Sequence, residues 1–275
     1  MTIKKKARLT GKNILAPDIY SLTFETDLCV QAEPGQFVLL YPNDGSKLLG
    51  RPICIADAGM ASEAPQPGEP EKGFLRVVFR TIGEGTTEIA GMDTGESLFI
   101  EGPLGNGYPM DDTVNDRGDI VLLGGGLGAP SLLFLAKRLT YRGKKNVTAV
   151  LGYRDGSLNH FLADDFKALD INTVIATDDG SEGIKGNVLT AINETGIKPG
   201  VVYACGPLPM LSAVKKYAAE TGAEAYISME ERMACGVGVC LGCVTKTMKK
   251  DPHSQVKNAR VCTEGPVFKA SVVDI

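Results

Sequence analysis

Four of the seven cysteines lie near the end of the chain, in a spacing that suits metal binding. Cys235, Cys240 and Cys243 are separated by four and then by two residues, and Cys262 follows after eighteen more. This pattern, C-x4-C-x2-C with a distant fourth cysteine, is the plant-type spacing for a [2Fe–2S] cluster held by four thiolates. Glycines between the first three cysteines allow the sharp bends that a loop around two irons needs. The sequence therefore predicts that these four residues ligate a [2Fe–2S] cluster.

A structural zinc site is the alternative interpretation of the same cysteines. Zinc ribbons usually supply two C-x2-C pairs, whereas only Cys240 and Cys243 form such a pair here. His253 could replace one ligand, although a single histidine among lysines is more often solvated. An odd number of cysteines with one dense group indicates metal ligation in a reducing compartment and not a disulfide framework. We therefore expect a cytoplasmic protein.

A glycine-rich turn in the middle of the chain could bind a dinucleotide. Gly124, Gly125, Gly126 and Gly128 stand between a buried-strand pattern and a helical pattern. Small residues at this position let the backbone and the helix N terminus approach a pyrophosphate. The spacing departs from G-x-G-x-x-G, so a plain strand-to-helix turn is the alternative.

Two further turns follow strand patterns in the same region. Cys205-Gly206-Pro207 ends a strand, which places it at the carboxyl edge of the sheet, where such folds bind ligands. Taken alone, Cys205 is more often a small buried apolar residue. In the turn Thr177–Gly180, one of Asp178 and Asp179 could face a ribose while the other forms the turn. This turn contains no arginine, so we expect NADH in preference to NADPH.

Two arginines in the first hundred residues stand beside apolar strand positions. The first lies in Arg51-Pro52-Ile53-Cys54, and the second ends Val78-Phe79-Arg80, shortly before Gly85-Thr86. An arginine followed by a Gly-Thr turn could bind a diphosphate. An ordinary arginine at a barrel rim and a hairpin loop are the alternative.

The patterns around these residues predict three domains. Residues 1–103 show short strands broken by turns, which predicts an antiparallel β-barrel. Residues 104–227 alternate strands with helices, which predicts a doubly wound parallel α/β sheet. Residues 228–275 are too short and glycine-rich to build a core, so they form a small iron–sulfur subdomain. Residues 60–73, rich in Pro, Gly, Ala and Glu, are predicted to be an exposed insertion.

Composition excludes several classes of function. The chain is 43% hydrophobic with a net charge of −4, which argues against nucleic acid or an anionic membrane as a partner. No segment approaches the about 18 consecutive apolar residues of a membrane span. The lysines at the start, Lys4 to Lys6, precede no apolar run of the kind found in signal peptides.

The combination of barrel, α/β domain and cysteine loop resembles the ferredoxin-reductase-like family over the whole chain. Within it the sequence is most similar to the electron-transfer subunits of NAD-linked dihydroorotate dehydrogenases. The resemblance is carried by Arg51–Cys54, Gly124–Pro130, Ala204–Pro207 and Met233–Cys243. It implies FAD in the barrel, contacted by Arg51 to Cys54, by Val78 to Arg80, and by Gly85 and Thr86. The family commonly has Ser or Thr where Cys54 stands, and often Tyr where Ile53 stands.

The resemblance also implies a function. Such a chain takes a hydride from NADH and passes electrons through FAD and the cluster to a partner. The implied partner is an FMN-containing catalytic subunit that interconverts dihydroorotate and orotate in pyrimidine biosynthesis, in a heterotetramer of two of each subunit. No residue in this chain has the pattern of a general base for that substrate. The alternatives are the flavin and iron–sulfur subunit of an NAD(P)H–ferredoxin transhydrogenase or hydrogenase complex, and a zinc-stabilised binding module without redox activity.

Overall fold

The computed structural model describes residues 3–60, 73–111, 114, 116–158, 161–252 and 254–275. Residues 61–72 of the predicted insertion and His253 lie outside these ranges. Within the described ranges, every helix is too short or too polar to cross a bilayer.

Six antiparallel strands close into an N-terminal barrel. They are β1 (Ile3–Ala16), β2 (Ile19–Glu25), β3 (Phe37–Tyr41), β4 (Arg51–Met60), β5 (Gly73–Arg80) and β6 (Ser97–Leu104). The order around the barrel is β1-β2-β5-β4-β3-β6, and β6 pairs back onto β1. Alternate residues such as Leu22 and Phe24 are completely buried inside it, as the two-residue period of a strand requires. The predicted barrel is confirmed.

One barrel helix was missed by the sequence analysis. The residues interpreted as a hairpin loop begin helix α1 (Glu84–Gly91), with Gly83 as its N-cap. The Thr86 hydroxyl accepts hydrogen bonds from the N–H groups of Ile82 at 3.0 Å and Gly83 at 3.2 Å. Two glycines and two threonines give this segment a weak helix propensity, so its helical pattern is faint in the sequence. Burial of Ile89 supplies the stabilisation instead.

The second sheet has seven strands in the order β10-β9-β8-β7-β11-β12-β15. The first six in chain order are β7 (Asp119–Gly125), β8 (Val147–Tyr153), β9 (Asn172–Thr177), β10 (Ile184–Lys185), β11 (Pro199–Cys205) and β12 (Glu224–Ser228). A hairpin of β13 (Val244–Lys246) and β14 (Asn258–Arg260) precedes β15 (Val267–Lys269). Within the seven-stranded sheet, all pairs are parallel except β12 with β15, which is antiparallel, as is the separate pair of β13 and β14.

Helices cover both faces of this sheet. They are α2 (Ala129–Tyr141), α3 (Ala163–Lys167), α4 (Val188–Thr195) and α5 (Leu208–Thr221). Ile120 and Leu122 of β7 pack in one core with α2 and α3, whereas Val121 and Leu123 pack with α4 and α5. The predicted doubly wound arrangement is therefore confirmed.

Ion pairs and one aromatic side chain join the barrel to the α/β domain. Phe134 of α2 is buried in the barrel core. Lys137 of α2 pairs with Asp57 of β4, and Arg76 of β5 pairs with Asp165 of α3 at 2.7 Å. These contacts fix the angle between the two domains. The boundaries at 103/104 and 227/228 stay a prediction, and β15 of the third segment lies in the second sheet.

Candidate functional site

The first group of predicted flavin residues meets at the start of α1. The Arg51 guanidinium lies against the first helical turn, so that a Cβ on Gly85 would be only 2.2 Å from Arg51 Nε. Arg51 also donates a hydrogen bond to the Leu49 carbonyl. Guanidinium groups and helix N termini both bind phosphate oxygens. The close approach of Arg51, Gly85 and Thr86 therefore forms a cradle that suits a diphosphate.

The remaining barrel residues named for the flavin differ in their surroundings. Pro52, Ile53 and Cys54 follow Arg51 on β4 and are half-buried. Burial, together with the charge of Glu230, raises the pKa of Cys54 to about 12, so its thiol stays neutral.

On β5 the three predicted residues point in different directions. Val78 packs toward the α/β domain, while Phe79 is buried in the barrel and stacks on Tyr20 with 6.3 Å between ring centroids. Arg80 is exposed and lines a cavity. Only Arg80 therefore offers a polar side chain to a ligand, and the other two offer their backbone.

A cavity of about 770 Å³ lies between the barrel and the carboxyl edge of the parallel sheet. This volume is typical of a small-molecule site, and the position is where open α/β sheets bind ligands. Its walls include residues that the sequence predicted to bind a cofactor and residues that it did not: Arg80, Gly125, Gly126, Gly128, Arg154, Asp178, Gly206, Pro207 and Glu230. The structure thus brings both dinucleotide turns and the second barrel arginine to one place.

The two dinucleotide turns touch each other because β7 and β11 are adjacent in the sheet. A Cβ on Gly128 would lie 2.0 Å from the carbonyl oxygen of Cys205. Gly124 and Gly125 are the last two residues of β7, Gly126 has a positive φ of 53°, and α2 begins at Ala129. Only glycine at position 128 permits this contact, which sets the N terminus of α2 beside the Cys205 turn. The arrangement suits the pyrophosphate of a dinucleotide.

Cys205 lies in a buried polar group that the sequence analysis missed. Ser131, Ser228 and Tyr108 surround its thiol, and the Tyr108 hydroxyl is 3.2 Å from the Ser131 hydroxyl. Burial raises the pKa of Cys205 well above its ordinary value, so the thiol is neutral. No sequence signal could have joined these residues, because they are far apart along the chain and meet only through the fold.

Glu230 was also missed. It follows β12 and lines the cavity, where desolvation raises its pKa. Its position just after a parallel strand is a signal that could have identified it.

The structure separates the roles of the two aspartates after β9. The Asp179 carboxylate accepts hydrogen bonds from the Ser181 hydroxyl at 2.6 Å and the Ser181 N–H at 2.9 Å, which lower its pKa. Asp179 is thus the turn former. Asp178 lines the cavity, together with Arg154 at the end of β8.

The four predicted cluster ligands lie in one loop region with different exposures. Cys243 and Cys262 are buried, Cys235 is half-buried and Cys240 is exposed. Burial would raise the pKa of Cys235, but hydrogen bonds from backbone N–H groups, first that of Cys240, lower it to about 6. Burial and the adjacent Cys243 raise the pKa of Cys262 to about 11. Thiolates are the ligand form of cysteine.

The surroundings of the loop fit an iron–sulfur cluster. Backbone N–H groups of Cys240 and Gly242 point at the sulfurs of Cys235 and Cys240, each at 3.4 Å. The buried Thr263 hydroxyl beside this loop has no hydrogen-bond partner among the described residues, and a group bound there would give it one. Among the residues that the structure describes, no three His, Cys, Asp or Glu side chains are grouped closely enough to hold one metal ion. The amide N–H groups directed at cysteine sulfurs and the buried hydroxyl are the observations that fit a bound cluster.

The cluster loop packs against the barrel next to the flavin residues. A Cβ on Gly236 would lie 2.7 Å from Leu39 Cδ1, and Leu39 of β3 pairs with Pro52 of β4. Neighbouring strands are about 4.8 Å apart. The loop is therefore separated from the strand that carries Arg51 to Cys54 by only one strand.

Comparisons with known proteins agree with this geometry. Residues 230–274 match the iron–sulfur cluster binding domain of dihydroorotate dehydrogenase B. The chain is 40% identical to the dihydroorotate dehydrogenase B (NAD(+)) electron transfer subunit of Bacillus velezensis, over 98% of this chain and 99% of that protein. It is 36% identical to the subunit of the same name from Lysinibacillus sphaericus, over 99% of each. A solved structure of the NADH-dependent reduced ferredoxin–NADP oxidoreductase, described for flavin-based electron bifurcation, gives a TM-score of 0.80 at 26% identity, covering 98% of this chain and 89% of that chain.

Proposed function

The chain belongs to the family of electron transfer subunits of dihydroorotate dehydrogenase B, and from this premise we propose that it moves electrons between NAD(H) and a catalytic subunit through FAD and a [2Fe–2S] cluster. One observation carries the proposal. The cavity lined by both dinucleotide turns reaches the barrel at Arg80 of β5. The neighbouring strand β4 carries Arg51 to Cys54, and the cysteine loop packs on β3, the strand after β4. The three binding regions therefore follow one another in space in the order that electron transfer requires.

In this proposal the α/β domain binds NAD(H). Gly124, Gly125, Gly126 and Gly128 bring the N terminus of α2 to the pyrophosphate, with Cys205-Gly206-Pro207 as the opposite wall. Asp178 faces the adenosine ribose. The neutral thiol of Cys205 offers a small apolar surface at the carboxyl edge of the sheet.

The barrel binds FAD. Arg51 and the N–H groups of Gly85 and Thr86 hold its diphosphate, while the β4 residues Pro52 to Cys54 and the β5 residues Val78 to Arg80 border the ring system. A bound flavin accepts a hydride and releases its electrons one at a time, which joins a two-electron donor to a one-electron acceptor.

Cys235, Cys240, Cys243 and Cys262 hold the cluster at the surface. Cys240 is exposed, and so are its neighbours Val239 and Leu241, whose side chains are 80% and 62% accessible. Large exposed apolar residues of this kind mark interaction sites. A partner that takes electrons from a cluster held here would approach this loop.

The partner is a dihydroorotate dehydrogenase catalytic subunit that contains FMN, in a heterotetramer of two of each subunit. The relatives are named as electron transfer subunits, which supports a separate catalytic subunit. Four metal-binding thiolates require a reducing compartment, which supports a cytoplasmic location. The transhydrogenase alternative has weaker support, because the match to that class is 26% identical against 36–40% for the dihydroorotate dehydrogenase subunits.

Copurification with the catalytic subunit tests the proposal. The complex should contain FAD, iron and acid-labile sulfide in anaerobic preparations, and it should oxidise NADH when orotate is added. Cys240→Ser should abolish oxidation by orotate while NADH oxidation by menadione, a small uncharged acceptor, continues from the flavin. Cys29→Ala, at a cysteine of the barrel outside the cluster loop, is the matched control and should retain both activities. A complex that lacks iron, or that ignores orotate, would refute the proposal.

A further inference from the structure

The hairpin between two cluster ligands carries a concentration of positive charge. We call residues 244–260 the basic hairpin. Its first strand, β13, begins directly after Cys243, and its second, β14, ends two residues before Cys262. It contains five basic residues and one acidic residue, whereas the rest of the chain has 24 basic and 32 acidic residues. The hairpin is therefore strongly positive in a protein whose remainder is negative.

Among the described residues, ion pairs balance one of these five charges. Arg260 pairs with Glu264 at 2.8 Å. The four lysines are exposed, and none forms an ion pair with another described residue: Lys246, Lys249, Lys250 and Lys257. Ordinary solvated surfaces intersperse both signs of charge. A group of unpaired lysines repels itself, so its position beside the cluster needs a separate explanation.

The orientation of the first hairpin strand places Lys246 on its exposed face, three residues from a cluster ligand. Cys243, Thr245 and Thr247 are buried, while Val244, Lys246 and Met248 between them are exposed. Val239 and Leu241 of the cluster loop, which precedes this strand directly in the chain, are exposed as well. Protein interfaces have the same layout, with an apolar centre and a polar rim. Lys246 is three residues from Cys243, about 10 Å along an extended strand, which is about one Debye length.

We propose that the basic hairpin is an electrostatic docking surface for the catalytic subunit, whose matching face carries an acidic patch beside its own electron-accepting site. The inference rests on the proposed function and specifies the chemistry of the partner's surface. A partner close enough to take electrons from the loop covers Val239 and Leu241, and it then lies beside the lysines. The apolar centre makes the lasting contact, and the lysines accelerate the encounter.

Charge reversal with a matched control tests this inference. The test variant is Lys249→Glu with Lys250→Glu. The control is Lys145→Glu with Lys198→Glu, which makes the same charge change before β8 and β11, at the sheet edge opposite the cavity. The association rate constant with the purified FMN-containing catalytic subunit is measured at about 20 mM and about 500 mM NaCl. Visible absorption of flavin and cluster, and NADH oxidation by menadione, verify that each variant is folded and loaded.

We expect the hairpin variant to associate at least about tenfold more slowly than the unaltered chain at low salt, and within about twofold of it at high salt. The association rate constant of the control variant should stay within about twofold of that of the unaltered chain at both salt concentrations. If the unaltered chain binds but the hairpin variant associates as fast as the control, the inference is overturned and the proposed function stands. If the unaltered chain fails to bind the catalytic subunit at either salt concentration, the proposed function fails and the inference with it.

Discussion

Gly128→Ala is the sharpest test of the dinucleotide site. The new methyl group would lie 2.0 Å from the Cys205 carbonyl oxygen and 2.7 Å from the Gly206 nitrogen. Comfortable contacts are about 3.5 Å, so the two turns must separate by about 1.5 Å. Both partners are backbone atoms that no rotamer change can move aside. We expect the free energy of unfolding to fall by about 1–3 kcal/mol, the usual cost of overpacking.

The same separation displaces the Cys205 turn from the N terminus of α2. A misplacement of about 1 Å can reduce a rate by about 100-fold, so kcat/KM for NADH should fall at least about tenfold with menadione as acceptor. Urea unfolding and steady-state kinetics measure the two effects. Gly91→Ala is the control, because a Cβ there meets nothing within 4 Å, and it should be neutral or stabilising by up to about 1 kcal/mol. Unchanged stability and unchanged kcat/KM in Gly128→Ala would refute the close approach of the turns.

Three further substitutions, one of them with a control, examine the ribose site, the domain contact and the cluster loop. Asp178→Asn should raise the ratio of NADPH to NADH use by about fivefold, because removing one negative charge near a 2′-phosphate relieves about 1 kcal/mol of repulsion. An unchanged ratio of kcat/KM values in steady-state assays would exclude Asp178 from the ribose site. Asp57→Ala breaks the ion pair with Lys137 and should lower the free energy of unfolding by about 1–2 kcal/mol. The control is Glu220→Ala, which breaks the exposed ion pair with Lys216 and should lower the free energy of unfolding by less than about 0.5 kcal/mol. Equal decreases for the two variants in urea unfolding would show that the contact between the domains does not contribute to stability. Thr263→Val should lower the reduction potential of the cluster by about 20–60 mV, the equivalent of one lost hydrogen bond. Spectroelectrochemistry measures this potential, and an unchanged value would show that the Thr263 hydroxyl does not bond to the cluster.

The features that the sequence predicted are those with local signals. The cysteine spacing lies mostly within nine residues, and the loop needs no distant contact to suggest its chemistry. Strand β3 (Phe37–Tyr41) has a local signal, because its apolar β-formers are bounded by turn residues. Helix α2 has one as well, since its apolar residues repeat at helical spacing.

The features that were missed depend on tertiary contacts. Tyr108, Ser131 and Ser228 meet at Cys205 only after two sheets and a helix have packed together. Helix α1 has a weak propensity, and its interpretation as a loop was wrong because burial outweighs propensity. Strand β15 has three residues, too few for a two-residue period to be recognised, and only its pairing with β12 defines it.

Strand β15 helps to fix the distance between the proposed cluster and flavin sites. The C-terminal segment has too few residues for a core, yet β15 extends the sheet beside β12, and Gly236 packs on Leu39 of β3. Strand β12 leads to Glu230 at the cavity, and β3 borders the flavin strand β4. The cluster segment is thus anchored on both sides of the proposed flavin site. Because each anchor belongs to a different domain, the separation between cluster and flavin is set by strand spacing and not by a flexible linker.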